Sequence, residues 1–161
     1  MWLFLKNLAF AVFVPGTLAV FLPIYLFGKR GWSLEGIGVV GLGLLLGGAC
    51  IALWCIWESW RTGHGTPAPI DPPKTLVVRG LYRYTRNPMY VGVLLVIAGE
   101  AILFASWSIL VYALCAAAGF HLFVLCYEEP ALRRKFGAAY DEYVQRVPRW
   151  LPHIRGNGGQ V

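Results

Sequence analysis

Residues 80–90 read GLYRYTRNPMY, a polar island between two almost wholly apolar halves, and the meaning of that island decides what the chain is. With the flanking Arg79 it gathers three arginines, and it holds three tyrosines, Tyr82, Tyr84 and Tyr90. Its Asn-Pro step marks a helix start. Asn87 is a favoured N-cap, and Pro88 at the first helical position gives up only an N–H that has no intrahelical partner. A helix is therefore expected from Pro88 into the apolar run behind it. The positive end of its dipole points at the polar cluster, where an anionic group would settle.

The 161 residues amount to one domain, 1–161. The composition is 58% hydrophobic and 14% charged, against about 45–50% and about 25% for soluble proteins. These values indicate an all-α membrane protein. The formal charge of +6 lies between and after apolar runs, so membrane orientation explains it and no nucleic-acid partner is expected. Cys50, Cys55, Cys115 and Cys126 fall inside apolar segments without a CxxC, which favours small packing residues over a disulfide framework or zinc site.

Four spans are expected, at about 7–28, 36–57, 88–104 and 108–127. Residues 7–28 and 36–57 are uncharged and long enough for a core of about 30 Å. The first is read as an uncleaved span and not a signal peptide, with Pro15 and Pro23 as possible kinks. The second carries Gly43 and Gly47 in GxxxG spacing, with Gly48 and Ala52 alongside; close packing within the molecule is favoured over a dimer motif. Trp54, Trp57 and Trp60 form an interfacial belt at its end. Residues 58–87 are a cytoplasmic loop broken by prolines, with an extended piece at 74–78 before a turn at Gly80. Residues 88–127 hold Glu100 as their only formal charge and divide into two spans at Ser106-Trp107-Ser108. Glu100 is assigned to helix packing or the opposite interface, although an ionisable group in a span is a functional hypothesis by default. Residues 128–161 form an amphipathic cytoplasmic segment, with Pro130 as a kink and Glu129 spaced to pair with Arg133. Lys and Arg number one before the first span, two in the first loop, five in the second, none in the third and six in the tail. The positive-inside rule then puts both termini and the 58–87 loop in the cytoplasm.

The two polar stretches, 80–90 and 128–150, thus face one another. Together they offer guanidinium groups and a helix N-terminus for an anion, the carboxylates Glu128 and Glu129 for an amine or a diol, and aromatic faces for stacking or cation–π contact. A zwitterionic cofactor suits that mixture. No metal set is expected, because His64, His121 and His153 are scattered; His121 is assigned to hydrogen-bonded packing.

GLYRYTRNPMYVG followed by EEPALRRKFGAAYDEYVQRVPRWLP resembles the isoprenylcysteine carboxyl methyltransferase family and its phospholipid methyltransferase relatives. The resemblance covers residues 76–152 and rests on three linked elements: G-x-Y-x-x-x-R-[HN]-P-x-Y, an acidic pair eight residues before Phe-Gly, and Y-x-x-Y-x-x-x-V-P. It implies a membrane methyltransferase with a cytoplasmic pocket for S-adenosylmethionine. Gly80, Tyr82, Arg86, Asn87, Pro88 and Tyr90 would line the methionine side. Glu128 and Glu129 would contribute from the last span, and Tyr140, Tyr143, Val147, Pro148 and Arg149 would close over the nucleoside. A lipid-like or prenylated acceptor would enter from the bilayer. The isoprenylcysteine branch usually has histidine where this chain has Asn87, so hydrogen bonding is kept there and proton transfer is not.

Methyl transfer from a sulfonium is an in-line displacement that depends on positioning and water exclusion. A carboxylate acceptor needs only aiming, for which Arg133 and Arg149 are candidates. An amine acceptor needs a base, and Glu128 or Glu129 could serve. The sequence leaves both acceptors open. Two other readings compete: an NADPH-dependent membrane reductase, because sterol-reductase-like families carry a similar Arg-His-Pro-x-Tyr element, and a non-enzymatic lipid-binding subunit.

Overall fold

The computed structural model describes residues 17, 19–27, 36–61, 76 and 78–151. Most of the expected first span, the loop between the first two spans, His64, His153, the bulk of the extended piece at 74–78 and the tail beyond Leu151 lie outside the described residues. All regular structure among the described residues is helical. The described residues contain six α-helices in order: α1 (Leu22–Phe27), α2 (Ile37–Arg61), α3 (Pro88–Leu103), α4 (Trp107–Phe123), α5 (Glu129–Phe136) and α6 (Ala138–Arg146). A 3₁₀ turn, Gly80–Arg83, precedes α3, and a wide π turn, Val124–Glu128, joins α4 to α5.

Among the described residues two helical stretches are long and apolar enough to cross a bilayer, Ile37–Glu58 and Trp107–Phe136, of 22 and 30 residues. At about 1.5 Å per residue both exceed a hydrocarbon core of about 30 Å. Their outward faces carry exposed Ile37, Val39, Leu46, Leu53, Val111, Leu114 and Leu122, which a lipid environment accepts without cost. Helix α3 has 16 residues, about 24 Å, and is short for a full crossing.

Helices α2 and α3 run antiparallel with their backbones in contact. A Cβ added at Gly48 would lie 2.5 Å from the Gly92 carbonyl oxygen, and one at Gly99 would lie 2.6 Å from the Gly41 oxygen. The seam is therefore Gly41 with Gly99 and Gly48 with Gly92, each helix contributing glycines seven residues apart. Lipid tails give no hydrophobic drive for helix pairing, so small residues that admit close van der Waals contact supply it. The expected packing within the molecule is present, through Gly48 with Ala52 alongside it and not through the Gly43–Gly47 pair. Among the described residues, nothing would lie within 4 Å of a Cβ added at Gly43 or Gly47.

The α3–α4 turn falls at Phe104, Ala105 and Ser106, slightly before the expected Ser106-Trp107-Ser108. Ser106 is the N-cap of α4, its Oγ accepting from the Ile109 N–H at 3.4 Å. That side-chain acceptor lets the helix begin at Trp107. Val93, Val96, Ile97 and Ala101 of α3 meet Ile109 and Ala113 of α4 and Ala19 in the main core. Glu100 is buried at this end of the molecule, with Oε2 lacking a hydrogen-bond partner. Pro23 is buried near the start of α1, directly after π-wound residues 19–21. Pro130 stands at the start of α5, just past the π turn. Its ring would collide with the carbonyl four residues earlier in a regular helix, and the wider turn relieves that clash.

Gly48→Val should cost about 1–3 kcal/mol by forcing the two backbones apart. Gly43→Ala should be neutral or stabilising by up to about 1 kcal/mol through helix propensity. Thermal unfolding of both variants in detergent checks the assignment of the seam.

Candidate active site

Gly80 opens the site with a left-handed φ of +57°, a conformation glycine adopts without strain. A side chain there would also press on the Trp54 indole, whose Nε1 would be 3.3 Å from the added Cβ. The 3₁₀ turn that follows presents the Tyr82 carbonyl to the Tyr143 hydroxyl, which donates to it at 2.7 Å. Pro88 begins α3 as expected, but the Asn87 side chain makes no cap. Its Nδ2 donates instead to the Arg149 carbonyl at 3.1 Å.

That bond is one of three that fasten residues 148 and 149 across the loop. The Thr85 hydroxyl donates to the same Arg149 oxygen at 3.0 Å, and the Arg86 N–H donates to the Pro148 carbonyl at 3.0 Å. Beneath this strap lies an ion cluster. Glu129 Oε1 receives Arg86 at 2.9 Å and Arg149 Nε at 2.6 Å, while Oε2 receives a second Arg149 nitrogen at 3.0 Å. The Glu129 and Arg86 side chains are only 11% and 10% exposed. The Arg149–carboxylate pair is two-pronged, the strongest geometry available to such a pair. Its hydrogen bond to Glu129 raises the Arg149 pKa further, so the guanidinium stays charged.

Glu128, one residue earlier, faces elsewhere. Its Oε2 accepts from the Tyr90 hydroxyl at 2.9 Å. The Tyr90 ring packs on Phe120 of α4 at 4.9 Å and meets the edge of Trp150 at 6.5 Å. Trp150 Nε1 in turn donates to His121 Nδ1 at 3.0 Å, so His121 is a hydrogen-bonded packing residue. Burial pushes the Tyr82 hydroxyl well above its ordinary pKa and raises Tyr140 and Tyr143 as well. All three remain neutral near pH 7.

The structure thus gathers Gly80, Tyr82, Arg86, Asn87, Pro88, Tyr90, Glu128, Glu129, Pro148 and Arg149 at one end of the helices. Tyr140, Tyr143 and Val147 are also there, as a buried cluster with flanking Leu76, Leu132, Phe136 and Val144. Arg133 departs from expectation: it is half exposed and pairs with Asp141 at 2.7 Å, not with Glu129. Glu129 is no free base either, because guanidinium groups occupy both of its oxygens. Glu128 is the less committed of the two carboxylates, held through one oxygen by a neutral phenol. Thr85 and Trp150 were not anticipated. The Thr-Arg-Asn spacing held a signal for Thr85, whose hydroxyl accepts from the Asn87 N–H at 3.4 Å in a local turn of a common kind. Among the described residues no group of His, Cys, Asp and Glu could hold a metal ion.

The arrangement has a cationic half, Arg86 and Arg149 about Glu129, and an anionic half, Glu128 on Tyr90. Residues 37–139 match the family described as phospholipid methyltransferase. Protein-S-isoprenylcysteine O-methyltransferase B of Arabidopsis thaliana is 32% identical over 151 residues, 93% of this chain and 70% of that protein. A probable protein-S-isoprenylcysteine O-methyltransferase from each of Oryza sativa subsp. indica and subsp. japonica is 29% identical over 127 residues, covering 78% of this chain and 65% of the relative. The chain belongs to the phospholipid methyltransferase family. Its two long apolar helices are in keeping with a membrane-associated member.

Glu129→Ala should lower stability by about 3 kcal/mol, because it leaves two guanidinium groups largely buried and unpaired. Arg133→Ala removes an exposed pair and should leave the unfolding temperature unchanged. Thermal scans of the two variants distinguish the ion cluster from the surface pair.

Proposed function

We propose that this chain transfers a methyl group from S-adenosylmethionine to a lipid-like or prenylated acceptor at the membrane surface. The observation that carries the reading is a buried donor without an acceptor. Arg86 Nε is enclosed and makes no hydrogen bond, although its neighbouring nitrogen is held by Glu129. A ligand carboxylate would satisfy it, and the Glu128 carboxylate on the other side of the site suits an ammonium group. The donor set therefore fits the amino-acid end of S-adenosylmethionine. Membership in the family and the names of the plant relatives support methyl transfer over the reductase alternative.

On this reading Gly80, Tyr82, Arg86, Asn87, Pro88, Tyr90, Glu128 and Glu129 hold the methionine side of the cofactor. Tyr140, Tyr143, Val147 and Pro148 stand on the nucleoside side. Bound S-adenosylmethionine supplies a methyl group on a sulfonium. The chain's own contribution is to orient the acceptor and keep water out. For a carboxylate acceptor, the guanidinium nitrogen of Arg149 not engaged by Glu129 aims the nucleophile. For an amine acceptor, Glu128 takes the proton, with Tyr90 keeping the carboxylate in place. Glu129 fixes both arginines and transfers no proton. The proposed topology has four spans at about 7–28, 36–57, 88–104 and 108–127, with the termini and the 58–87 loop in the cytoplasm.

Equilibrium binding of S-adenosylhomocysteine and of NADPH to detergent-purified protein tests the reading. The first should bind and the second should not. Arg86→Ala should weaken S-adenosylhomocysteine binding by at least about tenfold, the scale of a lost charged hydrogen bond. Arg86→Lys, which keeps the charge without the fork, should recover only part of it. A folded protein without affinity for S-adenosylhomocysteine at millimolar concentration refutes methyl transfer.

A further inference from the structure

The described cations divide into two groups. Arg86 and Arg149 are held by Glu129, Arg133 by Asp141 and Arg146 by Glu142, and Lys135 lies over the Phe136 ring at 5.8 Å. Arg61, Arg79, Arg83 and Arg134 are exposed and make no ion pair among the described residues. All four stand at the end of the molecule that carries the candidate site. Gly80 packs on Trp54 and the Glu58 carboxyl, which sets Arg79 and Arg83 beside the last turn of α2, where Arg61 ends the helix. Tyr143 of α6 holds the Tyr82 carbonyl from the other side, and α6 is tied through Asp141 to α5, whose exposed face bears Arg134. The opposite end is different. Among the described residues, the α3–α4 turn and the start of α2 contain no lysine or arginine.

Near these cations stand the exposed aromatic side chains Trp54, Trp57, Tyr84 and Tyr127. Such amphipathic rings settle at the level of lipid headgroups. Trp54 and Trp57 precede Arg61 by one to two turns on α2, Tyr84 adjoins Arg83, and Tyr127 precedes Arg134 by about two turns. Guanidinium groups spread round the rim in this way, beside interfacial aromatics, complement the phosphates of a leaflet. We infer that Arg61, Arg79, Arg83 and Arg134 form a rim that binds the headgroups of anionic phospholipids around the site. The rim is separate from the methyl-transfer machinery, since none of its four residues belongs to the ion cluster or the Glu128–Tyr90 pair. Its function is to enrich the surrounding leaflet in negative lipid.

The test reconstitutes the full chain in phosphatidylcholine bilayers and compares spin-labelled phosphatidylglycerol with spin-labelled phosphatidylcholine. The wild type should immobilise the anionic lipid about fivefold or more in preference, a scale set by attraction of a few surface charges. That preference should vanish in about 1 M salt, where the screening length is about 3 Å. Arg79→Gln/Arg83→Gln/Arg134→Gln, which leaves Arg61 in place, should lower the preference well below the wild-type value while S-adenosylhomocysteine binding and the unfolding temperature stay at wild-type values. Equal immobilisation of both lipids by the wild type, or an undiminished preference in the triple variant, overturns the inference. Tight binding of a soluble polyanion without lipid preference also overturns it.

Discussion

Glu129 stands just where the apolar helix from Trp107 passes into its charged continuation, and it holds two guanidinium groups that come from distant parts of the chain. Arg86 is 43 positions earlier and Arg149 is 20 positions later. Placing three charges where water is scarce is expensive, and mutual hydrogen bonding offsets that cost only when the geometry is complete. The rest of this end of the molecule supplies the completeness. Backbone and side-chain bonds from Thr85, Arg86 and Asn87 fix residues 148 and 149, and Trp150 is anchored on His121. Remove the carboxylate and the loop, the helix exit and the strap lose their common attachment.

The π turn before Glu129 gives this cluster its second property. Consecutive helical residues point about 100° apart, and here Glu128 turns to Tyr90 while Glu129 turns to the arginines. The acidic pair is thereby separated into one carboxylate committed to structure and one held by a single phenol. A wide turn also accommodates Pro130, so one local irregularity answers both a steric need and an electrostatic one. Such turns occur often at functional sites.

The glycine seam works at longer range. Because α2 and α3 touch backbone to backbone at Gly41–Gly99 and Gly48–Gly92, the start of α3 lies level with Ala52 and the last turns of α2 extend past it. The Gly80 turn can then dock on Trp54 and Glu58 without a long excursion. Burial of the core among Ala19, α3 and α4 holds that register, so the polar residues need only settle onto an already fixed platform.

Much of this was legible in one dimension. The apolar runs at 36–57 and 108–127, the Asn-Pro helix start and the change of character after Tyr127 depend on neighbouring residues only, and among the described residues each lies close to its expected place. The same holds for the residues nominated for the site, most of which lie together. What could not be read was orientation. Helix α2 is apolar and glycine-rich all round, so Gly48 was named together with Gly43 and Gly47, and nothing local singled out the seam it shares with Gly41. Asn87 has the residue type of a cap, yet a carbonyl 62 positions away claims its side chain. Arg133 has the spacing to reach Glu129, but Asp141 takes it and Arg149 takes the carboxylate. The helices, the apolar character and the two polar stretches follow from local propensity and composition, and so could be read along the chain. Which charge meets which is settled by folding in three dimensions, because ion pairs depend on distance in space and not along the chain.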